Sequence, residues 1–275
     1  MYKLHSHSHE SSLNTDFVQI ILGAPFVLLL FLYLYAVLSS NKSKKKWPIY
    51  RTVLWILGIA LAMISVTGNL AQQAHTDFVA HMVGHLFLGM LAPLLLALAA
   101  PMTLFLRTLP VKISRKITGI LRTRFVHFFQ NPIVASVLNV GGLWLLYTTP
   151  LFAMMHEGTL VYIIIHIHIF LAGYLFTISI IYIDPTPYRK SYVYRSVVFI
   201  FALAGHAILS KYIYANPPLG ISREEAEMGG MIMYYGGDAI EIGLIVILYY
   251  HWFKQTRPKA EVVNPKPING KEELI

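Results

Sequence analysis

Long apolar runs, separated by short polar blocks, constrain this chain more than any other feature. Crossing the hydrocarbon core of a bilayer takes about 20 mostly apolar residues in a helix. Such runs lie near residues 17–38, 49–70, 78–104, 132–153, 158–183, 195–214 and 231–253. Hydrocarbon offers the backbone no hydrogen-bond partner, so runs of this length must satisfy their own N–H and C=O groups as helices. The expected fold class is therefore an all-α polytopic membrane protein of seven transmembrane helices. Only 13% of the residues are charged, against about 25% in a typical soluble domain, which excludes an ordinary soluble enzyme. Residues 1–16 are expected to form a His-containing tail, 17–253 the membrane domain and 254–275 a polar tail with three prolines.

The net charge of +9 is explained by topology. Lys42, Lys44, Lys45, Lys46 and Arg51 follow the first run; Arg107, Lys112, Arg115, Lys116, Arg122 and Arg124 follow the third. Arg189, Lys190 and Arg195 follow the fifth, and five more basic residues follow the seventh. The alternate segments hold only Lys3, Lys211 and Arg223. Basic residues gather on the cytoplasmic side, so the N-terminus is expected outside and the C-terminus in the cytoplasm. Basic loops of this kind face anionic membrane lipid, and no nucleic-acid partner is expected.

The chain has 12 histidines and no cysteine. Thiolate chemistry is thereby excluded, both as nucleophile and as metal ligand. Ionisable groups inside a bilayer are costly and are candidates for function. With a rise of about 1.5 Å per residue, His81 and His85 on the third run, His166 and His168 on the fifth, His206 on the sixth and Asp238 on the seventh all fall in one layer. That layer lies in the outer half of the membrane. His75, Asp77 and His156 lie at its rim, whereas His127 and His251 lie on the inner side.

His81 and His85 are four residues apart and share a helix face, a bidentate platform for a metal ion. His166 and His168 are two apart, about 200° around a helix, so one faces the site and the other bonds a neighbour or serves a second site. Glu241, nearly mid-membrane, reads as a supporting or proton-handling group. Seven of the ten methionines also map to the outer half, and thioether and imidazole both suit copper. The candidate metal ligands are His81, His85, His166, His168, His206 and Asp238. On the residues alone copper suits these donors, and the identity of the bound group stays open. A zinc-dependent membrane hydrolase is one alternative. A haem protein is another, with Gly84, Gly89, Gly173 and Gly205 giving room for the macrocycle. A non-enzymatic carrier suits a His/Met site best, because such a site binds copper while leaving it exchangeable.

The text of the third run is the most recognisable: His81-Met82-Val83-Gly84-His85-Leu86, then Ala92-Pro93 and Pro101. It resembles the CtaG-type cytochrome c oxidase assembly factors of Gram-positive bacteria. His166-Ile167-His168 and Gly205-His206 agree with that resemblance, and Glu225 to Gly230 is similar to a weakened acidic block that opens the family's last span. The resemblance covers roughly residues 15 to 253. It implies a multi-pass protein of the bacterial plasma membrane that helps mature a haem–copper oxidase of the respiratory chain. The implied role is that of a copper chaperone, with oxidase subunits or other copper-handling assembly proteins as partners. His81, His85, His166 and His206 fall on motif positions; His168 and Asp238 rest on the depth argument alone.

Overall fold

The computed structural model describes residues 4–258, with side chains from residue 17 onward except at residue 43. Most of the expected polar tail, and the side chains of the N-terminal segment with His5, His7 and His9, lie outside the described residues. Among the described residues the chain is helical throughout, with no strand. We number the long helices α1 (Leu4–Ser43), α2 (Ile49–Val66), α3 (Phe78–Leu98), α4 (Pro132–Thr148), α5 (Thr159–Ile180), α6 (Tyr192–Ala215) and α7 (Arg223–Thr256). Six have the length and apolarity to cross a membrane, and α4 makes a seventh if counted together with Leu151–Glu157, from which it is bent by 79°.

The boundaries differ from the expected runs at three places. The third span ends at Leu98 rather than near residue 104. Pro101 disfavours helix at the residue before it, and Ala100 takes a left-handed conformation (φ 53°) that turns the chain into a short helix, Pro101–Thr108. The fourth breaks at Thr149-Pro150. The seventh starts at Arg223, eight residues earlier than expected, on a capping box in which the Ser222 hydroxyl accepts from the Glu225 N–H. Its side-chain partner also closes the box, so Glu225 has a structural role.

Pro93 does not simply kink α3. The helix widens to a π-turn over Phe87–Leu91 just before it, and the Ala92 N–H bonds to the Phe87 carbonyl five residues back. A second π-turn occupies Val137–Gly141 in α4. Such turns are often found at functional sites.

Helix α3 is the most enclosed span, packed by α2, α5 and α7. It meets α5 at two glycines: a Cβ built on Gly173 would overlap the Gly89 carbonyl oxygen. Small residues let membrane helices approach this closely. At the other end of α3 the Tyr33 hydroxyl donates to the Ala99 carbonyl (2.9 Å) and accepts from Trp47 Nε1 (3.0 Å). Its ring stacks on Trp55, 4.4 Å between centroids. Asp184 accepts from Met102 N, Thr103 N and Thr103 Oγ1 at 2.6–3.0 Å, capping the Pro101–Thr108 helix.

The basic loops gather at one end of the bundle. Lys44 Nζ donates to the Arg107 carbonyl, Arg107 donates to the Lys45 carbonyl, and the Tyr188 hydroxyl donates to the Arg122 carbonyl. The loops that carry His75 and His156 lie at the opposite end.

Two outcomes follow. Gly173→Ala should destabilise the protein by about 3 kcal/mol through overpacking. Gly84→Ala, where a Cβ meets open space, should stay within about 0.5 kcal/mol; thermal unfolding in detergent measures both. The cysteine-free background permits single-cysteine labelling. Asn216→Cys should react in intact cells with an impermeant maleimide, and Thr123→Cys only after permeabilisation.

Candidate functional site

The site begins where Asp77 caps α3: its carboxylate accepts from Val79 N (2.7 Å) and Ala80 N (3.3 Å). That start sets the helical phase, and residues 81, 85 and 89 follow down one face at intervals of one turn. His81 is buried, and its Nε2 shares a 3.0 Å hydrogen bond with the Tyr147 hydroxyl of α4. Phe152 packs edge-on against the same ring at 5.1 Å. One turn further, His85 is 4% exposed, and neither ring nitrogen has a partner. Gly89 makes room for it: a Cβ there would stand 3.3 Å from His85 Cε1.

Helix α5 contributes His166, which is buried. Its Nδ1 lies 2.9 Å from the Tyr162 carbonyl. A carbonyl only accepts, so the proton sits on Nδ1 and the Nε2 lone pair is left for another partner. The Tyr162 ring stacks on His166 at 3.9 Å. His168 points elsewhere. It is exposed, and its Nε2 donates to the Leu138 carbonyl in the π-turn of α4 (3.1 Å). The sequence left open which of the two histidines faces the interior; the structure places His166 there.

Helix α6 contributes His206, 3% exposed, with its ring lying on Gly237 of α7 so closely that a Cβ would overlap it. His206 Nδ1 stands 3.3 Å from Glu241 Oε1 without an aligned hydrogen bond, and Nε2 has no partner. The acidic group that meets the histidines is thus Glu241. Asp238, half-buried one turn earlier, does not line the cavity beside them. That cavity is about 20 Å³, room for one water. His206, Glu241, Asn139, Thr177, Gly89 and Met90 line it, so both π-turns contribute.

A wider cleft of about 320 Å³ opens at the end opposite the basic loops, lined by His75, Asp77, His156 and Glu157 among others. The His75 and His156 rings are 6.2 Å apart, and His156 is 6.3 Å from His81. Burial, together with nearby His156, holds the His75 imidazole below its ordinary range, which keeps its lone pair available near neutral pH. His156 Nδ1 is 2.9 Å from the Phe152 carbonyl, which leaves Nε2 as the free nitrogen.

Four of the six candidate ligands, His81, His85, His166 and His206, are buried in the interior, and together they are called the histidine column below. His168 and Asp238 stand apart from it. Among the described residues no three His, Asp or Glu side chains are grouped closely enough to hold one ion. Met82, Met155 and Met233 are buried in the apolar core, whereas Met154, Met228 and Met231 are exposed. Three of the glycines considered for a haem slot are closed in: Gly173 by the Gly89 carbonyl, Gly89 by Ile169 and His85, and Gly205 by Val140 at 3.1 Å. Tyr147 and Asn139 escaped the sequence reading, since a tyrosine or an asparagine in an apolar run carries no spacing signal.

The cytochrome c oxidase caa3 assembly factor family matches residues 31–255. The chain is 30% identical over 261 residues to the uncharacterized proteins Mb0105 of Mycobacterium bovis and MT0111 of Mycobacterium tuberculosis, covering 87% of this chain and 40% of each relative. It is 26% identical over 256 residues to the uncharacterized protein ML1998 of Mycobacterium leprae, covering 86% of this chain and 39% of that protein. The chain thus spans about 40% of the length of the curated relatives it matches. No solved structure matches it. This chain belongs to the cytochrome c oxidase caa3 assembly factor (Caa3_CtaG) family.

Proposed function

We propose that the chain supports oxidase assembly by taking up copper at the buried histidine column and passing it on within the bacterial plasma membrane. The recipients are subunits of the haem–copper oxidase or other copper-handling assembly proteins. One observation carries this reading: His85 and His206, from different helices, keep unpartnered ring nitrogens in the apolar interior. A buried polar atom without a partner costs about 1–3 kcal/mol, and a ligand that uses the lone pair removes that cost.

The donors are few and neutral. Two or three imidazoles suit Cu(I), whereas structural zinc asks for four ligands in a tetrahedron. The cleft with His75 and His156 supplies an entry, and His81 bridges it to the interior. A site without thiolates holds the cargo by imidazole nitrogen alone, which favours exchange over retention. Glu241 beside His206 takes up or releases a proton as the ring gains or loses its ligand. The role is that of a carrier, with no bond made or broken in a substrate.

Copper analysis after anaerobic purification tests the reading. The wild-type chain should retain copper, and His85→Ala/His206→Ala should retain at least about tenfold less, since disturbing even the outer sphere of a metal site costs that much affinity. His168→Ala should match the wild type. Equal copper in the wild type and the double variant would overturn the assignment; zinc in place of copper, or a haem spectrum, would overturn the choice of cargo.

A further inference from the structure

The end of the bundle that carries the basic loops holds a second site, unrelated to the histidine column. A cavity of about 600 Å³ opens between the end of α5, the start of α6 and the end of α7. Arg189, Lys190, Arg195 and Lys254 line it, together with His251, and no Asp or Glu is among the lining residues described. Four fixed positive charges thus face one space without an acidic partner. Like charges held together at a membrane surface repel, and an anion in their midst offsets that repulsion.

Arg195 is the built part of this site. It is 2% exposed, and its guanidinium lies between the rings of Tyr182 and Tyr192, at 4.1 and 4.3 Å from their centroids. One terminal nitrogen donates to the Ile180 carbonyl, the last turn of α5, while Nε has no partner. A stacked, buried guanidinium with a free N–H is pre-organised for a phosphate oxygen. The start of α6 adds its dipole: this 24-residue helix is capped by Ser191 at the cavity wall, and helix N-termini attract anions.

The surroundings set the depth. Tyr192, Trp252 and Tyr249 stack in sequence, each 5.7 Å from the next. Tyrosine and tryptophan collect at the level of lipid headgroups, and basic pockets between membrane helices bind anionic headgroups.

We propose that this cavity binds a phosphate group, held by Arg195, Lys190 and Lys254 at the level of the lipid headgroups. The phosphate can belong to an anionic phospholipid or be free in solution. Thermal unfolding of the full chain in a neutral detergent separates the sources, using dioleoylphosphatidylglycerol, dioleoylphosphatidylcholine and inorganic phosphate as titrants. At saturation the phosphatidylglycerol should raise the wild-type Tm by roughly 5 °C. For Lys190→Gln/Lys254→Gln the titration midpoint should shift about thirtyfold to higher lipid, at roughly 1 kcal/mol per basic residue. The Tm without lipid reports whether that variant folds, and Arg195 is left intact because it also ties α5 to α6.

Lys112→Gln/Lys116→Gln removes the same charge from the neighbouring loop and should leave the midpoint in place. A response to phosphatidylglycerol alone assigns the site to lipid, and a response to inorganic phosphate as well assigns it to the phosphate itself; both support the proposal. No response to either, an equal response to phosphatidylcholine, or equal shifts in the two double variants would overturn it.

Discussion

Inside a bilayer a polar atom finds its partner within the protein or goes without. Most of this chain obeys that constraint closely. Tyr33 takes the carbonyl that the end of α3 releases, Asp184 caps the helix beyond it, Trp144 Nε1 donates to the Gly205 carbonyl, and Arg195 donates to the carbonyl that ends α5. Of ten buried side-chain atoms without a partner among the described residues, four are the ring nitrogens of His85 and His206. Packing does not force them: Gly89 and Gly237 are cut away to seat those two rings. Space made for a costly group is the mark of a group kept for what it binds.

The two ends of the bundle divide the chemistry. Imidazoles run inward from one end, from His75 and His156 at the rim to His81, His85, His166 and His206 in the interior. Fixed cations surround a cavity at the other. The Gly89–Gly173 contact ties the two lining helices of the histidine column together, and the π-turns open the water-sized cavity beneath it. A wider turn frees a backbone carbonyl, and the Leu138 carbonyl in α4 receives His168. The outward histidine therefore fixes the π-turn that carries Asn139 to the cavity, which gives it a structural purpose beside the column.

Much of this was legible in the residues. Hydropathy located the seven runs because a bilayer imposes length and apolarity together, and alternation of basic loops indicated which ends lie together. A rise of about 1.5 Å per residue along three helices put His81, His85, His166 and His206 at similar depth, and all four are buried. What failed did so for local or tertiary reasons. Ala100 adopts a left-handed turn that no hydropathy window registers, and Ser222 starts α7 outside the apolar run. Depth singled out Asp238 and put Glu241 nearly mid-membrane, but depth gives height and not azimuth, and it is Glu241 that stands beside His206. The π-turns and the cavity depend on contacts between helices that lie far apart in sequence.

The central claim is that buried imidazoles hold copper as cargo. Copper K-edge X-ray absorption on the chain loaded with Cu(I) under anaerobic conditions tests it most directly. The account predicts a low-coordinate, nitrogen-only first shell with the multiple scattering of imidazole rings. A first shell of oxygen, or of sulfur from methionine without imidazole scattering, would contradict it.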